Sequence, residues 1–447
     1  MKIPRIVIAG ATSGVGKTSV TCAVIRALQK RGRTVRPFKV GPDYIDPGYL
    51  SSISGMEAYN LDVWLMGKRQ LLESFVSHSD SDVSVIEGVM GYYDGSDGDT
   101  NNASTHHVAS ITKSPVLLVL DAGKTARSIA ATALGFQKFH KNSRISGIIL
   151  NKIGSKRHEI LCRTALKRMG IPVVGVIPRM ELHIESRHLG LIPTPEDRNL
   201  GKKIKKISDT LSQYLDTFQI LKIATNQTSL PGKPRPAYKK PTVTIAVALD
   251  ESFNFYYQDN LEALQREGAI LKFFSPIKSK KIPQCDGLYI GGGFPEILAD
   301  KLEKNHAMKK AVKKLAEDGM PLYAECGGLM YLTKSITYGK KRHRMTGLFD
   351  ADTVMTGKML LNYTRGKISN GTPISGARSF CGHEFHYSRL DSVSPDSRFA
   401  YTLDVGKGIT NCKDGLVTHN TLASYGHLYF GSSFARAFVK NCSRYSR

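Results

Sequence analysis

No apolar run in this chain of 447 residues reaches the roughly 20 residues of a membrane span, so no membrane-spanning helix is expected. The stretch from Met1 to Ala9 is too short for a signal peptide and leads directly into a motif, so a cytoplasmic location is expected. No Cys-x-x-Cys pair occurs, and the seven cysteines (22, 162, 285, 326, 381, 412 and 442) are odd in number and widely scattered. That argues against a disulfide framework and against a zinc site. Internal repeats and low-complexity tracts are also absent. Acidic residues are scarce: 38 Asp and Glu against 63 Lys and Arg leave a formal net charge of +25. A basic chain suggests nucleic acid. The basic runs, however, are dispersed over Lys202–Lys206, Lys278–Lys281 and Lys340–Arg344, without aromatic residues interleaved for base stacking. A solvated basic surface that steers a polyanionic small substrate is the expectation, and nucleic acid is not an expected partner.

A content of 41% hydrophobic and 23% charged residues is that of a folded protein, and the length favours two domains of roughly 200 residues each. Short β-branched runs alternate with amphipathic stretches in the first half, the pattern of βαβ units and a parallel sheet. Strands are predicted over 6–9, 83–87, 116–121, 145–151 and 173–177, and a helix over 17–30 ended by Gly32. Residues 228–241 hold four prolines and several basic residues and are predicted to be a linker between domains at 1–227 and 242–447. A second series begins at 243–248 and includes 287–290 and 321–324. The fold class expected is α/β with two doubly wound domains.

Gly10-Ala11-Thr12-Ser13-Gly14-Val15-Gly16-Lys17-Thr18 lies between a predicted strand and helix, where a phosphate-binding loop belongs. Backbone N–H groups and the helix N-terminus suit phosphate, Lys17 supplies a point charge, and Thr18 would offer a hydroxyl to Mg²⁺. The first glycine of the common pattern is displaced: Ala11 occupies its position and Gly10 lies one residue early. The segment Lys39-Val40-Gly41-Pro42-Asp43-Tyr44-Ile45-Asp46-Pro47-Gly48 places two carboxylates just after a strand, either as ligands or as turn formers. In Glu87-Gly88-Val89-Met90-Gly91-Tyr92-Tyr93-Asp94, Glu87 ends a buried strand, where a nucleotide-binding domain places its metal-directing carboxylate. Thr18, Asp43, Asp46 and Glu87 are together the oxygen ligands a Mg²⁺–ATP complex needs, whereas Asp94 also suits a capping role.

These motifs, with Asn60-Leu61-Asp62, Asp121-Ala122, Ser128, Leu150-Asn151 and Arg187-His188-Leu189-Gly190-Leu191, resemble the cobyrinic acid a,c-diamide synthase family, relatives of dethiobiotin synthetase. The resemblance implies that this domain binds Mg²⁺–ATP and phosphorylates substrate carboxylates. It places Gly14, Gly16, Lys17, Thr18 and Asn151 at the nucleotide, Thr18, Asp43, Asp46 and Glu87 at the metal, and Asp94 at the substrate or intermediate. Leu50 stands where the family pattern has a histidine.

In the second half, Tyr323-Ala324-Glu325-Cys326-Gly327-Gly328 follows an apolar strand and opens a predicted helix, a sharp turn that pushes the thiol into a site. The helix N-terminus is expected to favour thiolate. Gly291-Gly292-Gly293 follows another strand, and Gly292, Gly293 and Gly327 are oxyanion-hole candidates. Ala423-Ser424-Tyr425-Gly426-His427 offers a base for Cys326, while Gly382-His383-Glu384-Phe385-His386-Tyr387 is expected to line or support the site. With the segment Asp250–Tyr257, this half resembles a class I glutamine amidotransferase domain. Many class I members carry a Glu two residues beyond the His; here that position is Tyr429, so a Cys–His dyad is expected.

The resemblance implies an ATP- and glutamine-dependent amidation of two cobyrinic acid carboxylates through an acyl phosphate. The same reaction on hydrogenobyrinic acid or nickel sirohydrochlorin remains open, as does a homodimer. A partitioning ATPase is disfavoured, because Gly10 to Gly16 lack the lysine such proteins carry.

Overall fold

The computed structural model describes residues 1–180, 186–187, 190–191, 200–232 and 237–445. It comprises two compact units, Met1–Arg235 and Pro236–Arg447. The division falls inside the stretch expected to be a linker, but much of that stretch is built into the units. Arg5 donates to the carbonyl of Thr228, and Leu230 pairs with Met1 in the first unit. Lys239 and Thr242 bond Arg266 and Gly268 in the second. Residues 233–236 lie outside the described set, as do 188–189 of the Arg187–Leu191 motif.

The first unit is built on seven strands: β1 (Arg5–Gly10), β2 (Val35–Val40), β3 (Tyr59–Leu61), β4 (Val83–Glu87), β5 (Val116–Asp121), β6 (Ile145–Ile153) and β7 (Val173–Pro178). They form a parallel sheet in the order β3-β2-β4-β1-β5-β6-β7. Every residue of β1 and β2 is buried, as strands covered on both faces require. The chain order reverses at β1, so the loops after β1, β2 and β4 open at the switch point where doubly wound sheets bind ligands. A two-stranded ribbon pairs β8 (Ser186–Arg187) with β9 (Gly190–Leu191). Leu50, in the helix Asp46–Ser54, is wholly buried among Tyr49 and Ile53, so its side chain is committed to packing.

The second unit contains β10 (Val243–Ala248), β11 (Ala269–Phe274), β12 (Gly287–Ile290), β13 (Leu322–Glu325), β14 (Ser335–Tyr338), β15 (Lys341–Arg344), β16 (Asp352–Ile368), β17 (Ser379–Asp391), β18 (Arg398–Val405), β19 (Lys413–Thr418), β20 (Thr421–Ser424) and β21 (His427–Leu428). Strands β11-β10-β12-β13-β20 are a parallel core. Beyond it the sheet becomes largely antiparallel, through β19, β18 and the long β16–β17 pair. Strand β21 pairs with β17, setting His383 opposite His427.

Candidate active sites in the two units

In the first unit the phosphate-loop residues turn from β1 into the helix Lys17–Gln29. Gly14 and Gly16 adopt φ of 76° and 92°, a left-handed backbone that glycine reaches at least cost. At Gly16 a side chain is also excluded by contact, since a Cβ would stand 2.7 Å from Asn151 Nδ2. That amide donates to the Val15 carbonyl at 2.8 Å, so Asn151 braces the loop from the end of β6. Lys17 lies across the loop, its ammonium donating to the carbonyls of Thr12 and Met90. Burial and the neighbouring Lys39 charge hold its pKa below the usual lysine range.

The three carboxylates expected at a metal converge on a cation that the sequence reading left unassigned. Lys39 is 3% exposed and donates to Asp46 Oδ2 at 2.6 Å, Glu87 Oε1 at 3.0 Å and the Gly88 carbonyl at 3.2 Å, with Asp43 Oδ2 at 3.8 Å. Burial alone would lower the Lys39 pKa, but Asp46, Glu87 and Asp43 outweigh it and raise it. Burial pushes Glu87 up to about 7 despite Lys39, and burial with the Asp46 charge pushes Asp43 up to about 6. For Asp46 the burial effect is overcome by Lys39, and its pKa falls. The only signal in the sequence was position: Lys39 sits at the end of a strand edged by two carboxylate loops.

Thr18 donates to Glu87 Oε1 at 2.8 Å, whereas Glu87 Oε2 is buried with no hydrogen-bond partner. Among the described residues no three His, Cys, Asp or Glu side chains are grouped to hold a metal unaided. Mg²⁺ beside nucleotide phosphates needs only one or two carboxylates, and the unpartnered Glu87 oxygen next to the Thr18 hydroxyl fits that demand. The neighbouring motifs shape these loops. Asn60 Nδ2 donates to the carbonyls of Gly41 and Asp43, Asp43 accepts from the amides of Ile45 and Asp46, and Asp62 caps the helix Val63–His78. Asp94 is exposed and accepts the Gly91 amide at 2.8 Å, a turn-forming contact.

In the second unit Cys326 joins β13 to the short helix Gly327–Leu332, with φ 47° and ψ −101°. This is strained for a residue with a Cβ, and such strain clusters at functional sites. Its amide donates to the Ser424 carbonyl at 2.7 Å, and its thiol to the Phe385 carbonyl at 3.7 Å. The expected thiolate is not the resting form. Burial, followed by the Glu296 charge, pushes the thiol well above its usual pKa and outweighs the Gly327 amide.

His427 is 1% exposed, and its ring stacks on His383 at 5.0 Å between centroids. A Cβ on Gly292 would stand 2.4 Å from His427 Cε1, so only glycine leaves space for this ring. A Cβ on Gly327 would lie 3.1 Å from Gly293 N, which brings two oxyanion candidates side by side. The Asp250–Tyr257 segment clamps the glycine loop: Asn254 and Phe255 amides donate to the Gly292 carbonyl, and the Gly291 amide donates to the Tyr256 hydroxyl. Asp414, fully buried, accepts the amides of Gly415, Tyr425 and Gly426 and so fixes the turn that presents His427. Sequence reading missed Asp414. It also missed Glu325, whose Oε2 lies 3.7 Å from His427 Nδ1.

A nucleotide-binding sheet joined to a sheet with a buried thiol and histidine defines a glutamine amidotransferase coupled to nucleotide use. Residues 6–191 match the CobQ/CobB/MinD/ParA nucleotide binding domain, and residues 244–434 match the CobB/CobQ-like glutamine amidotransferase domain. A cobyrinate a,c-diamide synthase of Picrophilus torridus is 42% identical over 99% of this chain and 99% of its own. One from Dehalococcoides mccartyi is 42% identical over 98% of each, and one from Methanosarcina barkeri 38% identical over 97% of this chain and 96% of its own. The chain belongs to the cobyrinate a,c-diamide synthase family, and is a glutamine-dependent amidating ligase.

Proposed function

We propose that the chain converts the a and c side-chain carboxylates of cobyrinic acid to amides in cobalamin biosynthesis, using ATP and glutamine. The full-length likeness to named cobyrinate a,c-diamide synthases carries this reading. The same chemistry on hydrogenobyrinic acid or nickel sirohydrochlorin is the alternative that ring identity alone would distinguish.

Cys326 attacks the glutamine amide carbon, with His427 accepting the thiol proton and returning it to the departing ammonia. Because the resting thiol is protonated, that transfer accompanies attack. Gly293 and Gly327 offer amides to the developing oxyanion. In the first unit, Lys17 and the loop amides hold the ATP phosphates, braced by Asn151. Thr18 and Glu87 would hold Mg²⁺, which supplies charge neutralisation at the phosphates. Asp46 and Asp43 fix the Lys39 ammonium beside that place, where it can meet charge on the transferred phosphoryl group. Asp94 is at the rim to position substrate. The carboxylate attacks the γ-phosphate, ADP leaves, and ammonia displaces phosphate from the acyl phosphate to give the amide.

Replacement of Cys326 with alanine tests the division of labour. Glutamine-driven amidation is lost and ammonium-driven amidation is kept; loss of both would show that the thiol serves a different step.

A further inference from the structure

Resting on the reading of Cys326 and His427 as the glutaminase pair, we infer that Glu325 is the positioning residue for His427, replacing the carboxylate that many class I domains carry two residues after the histidine. Tyr429 occupies that later position. Glu325 is the last residue of β13, next to the nucleophile, and is 1% exposed. A charge buried that deeply needs hydrogen bonds or an opposite charge. Glu325 Oε1 accepts the Tyr323 hydroxyl at 2.8 Å and the Leu428 amide at 3.0 Å, and Oε2 accepts the Tyr289 hydroxyl at 3.1 Å. The Leu428 bond ties the carboxylate to the residue after the histidine, so the two side chains keep a fixed spacing.

The remaining approach is from His427. Its Nδ1 lies 3.7 Å from Glu325 Oε2, within ion-pair reach but longer than a hydrogen bond. Catalytic hydrogen bonds are commonly long before substrate is bound. With Glu325 on the Nδ1 side, the ring holds a proton at Nδ1 toward the carboxylate and leaves Nε2 to receive the Cys326 proton. The imidazolium formed on transfer is then balanced by Glu325. His383, stacked on the His427 ring, cannot serve as that balance, because an imidazole carries no negative charge; burial holds its pKa well below the usual value, so it adds no positive charge beside the ring either. One strand end thereby supplies both the nucleophile and the group that orients its base.

Three full-length proteins test this: the parent, Glu325→Gln and Glu325→Asp. Glutamine keeps the shape and can still accept the Leu428 and Tyr323 bonds, but lacks the charge. The expected result for Glu325→Gln is a glutaminase kcat lower by roughly 100-fold or more, with KM for glutamine changed by less than about three-fold. Glu325→Asp should recover part of the kcat. Equal kcat in parent and Glu325→Gln would overturn the assignment, as would a loss in Glu325→Gln that Glu325→Asp does not relieve at all. Should Glu325→Gln not fold, ¹⁵N-histidine spectra of the parent decide, with the His427 signal identified by difference against His427→Asn. A neutral His427 protonated at Nδ1 supports the role, and one protonated at Nε2 overturns it. If Cys326→Ala retained glutaminase activity, the underlying reading would fail instead, whatever Glu325 does.

Discussion

Replacing Lys39 with methionine would leave Asp46 and Glu87 buried without their shared cation. Removing one partner of a buried ion pair costs about 3–5 kcal/mol, so Lys39→Met should lower the unfolding free energy by about that much and abolish ATP-dependent amidation. Calorimetry and a synthase assay check both. The same cluster sets a pH dependence. Glu87, pushed up to about 7 by burial, holds a proton in the nucleotide-free protein until that pH. Mg²⁺ requires the ionised form, so binding releases a proton below pH 7. Affinity for Mg²⁺–ATP should therefore climb between about pH 5.5 and 7 and level off above, with the climb absent in Glu87→Gln; isothermal titration calorimetry measures it. At Cys326 the raised thiol pKa predicts slow alkylation by iodoacetamide at neutral pH, slower than at the exposed Cys412, when peptides are mapped by mass spectrometry.

The loops that carry these residues depend on backbone shape. Gly292 borders the ring of His427, and a Cβ there would overlap Cε1. Gly292→Ala should displace His427 and lower glutamine-driven amidation by roughly 100-fold, while ammonium-driven amidation and the ATP site are preserved; steady-state assays with the two nitrogen donors separate these. Much at this scale was legible in the sequence. Strands over 83–87, 116–121, 243–248 and 287–290 are found with those bounds, because fully buried parallel strands read as apolar runs between turn residues. The antiparallel extension was not legible. In β16 and β17 polar and basic residues are interspersed with half-buried ones, which blurs the alternation that marks a strand. Lys39 and Glu325 were hidden for a different reason: each lies within a legible motif, but partners that give them their roles, Glu87 for one and His427 for the other, come from other strands.

Across the whole molecule the charge of +25 is the least specific feature and the hardest to assign by residue. If it steers a polycarboxylate substrate, KM for that substrate should rise with ionic strength while KM for zwitterionic glutamine stays level. Assays between about 50 and 300 mM salt show the difference, since the screening length shortens across that range. Among the described residues no helix is long and apolar enough to cross a membrane. The central claim is that one chain spends ATP in its first unit and glutamine in its second to make two amides on one ring. The direct measurement supplies the purified protein with ATP, Mg²⁺ and amide-¹⁵N glutamine, together with cobyrinic acid, hydrogenobyrinic acid or nickel sirohydrochlorin, and follows product mass. Two acid-to-amide conversions on one of these rings, both carrying the label, are the predicted result. Glutamine hydrolysis and ATP turnover with no labelled amide on any of the three would contradict it.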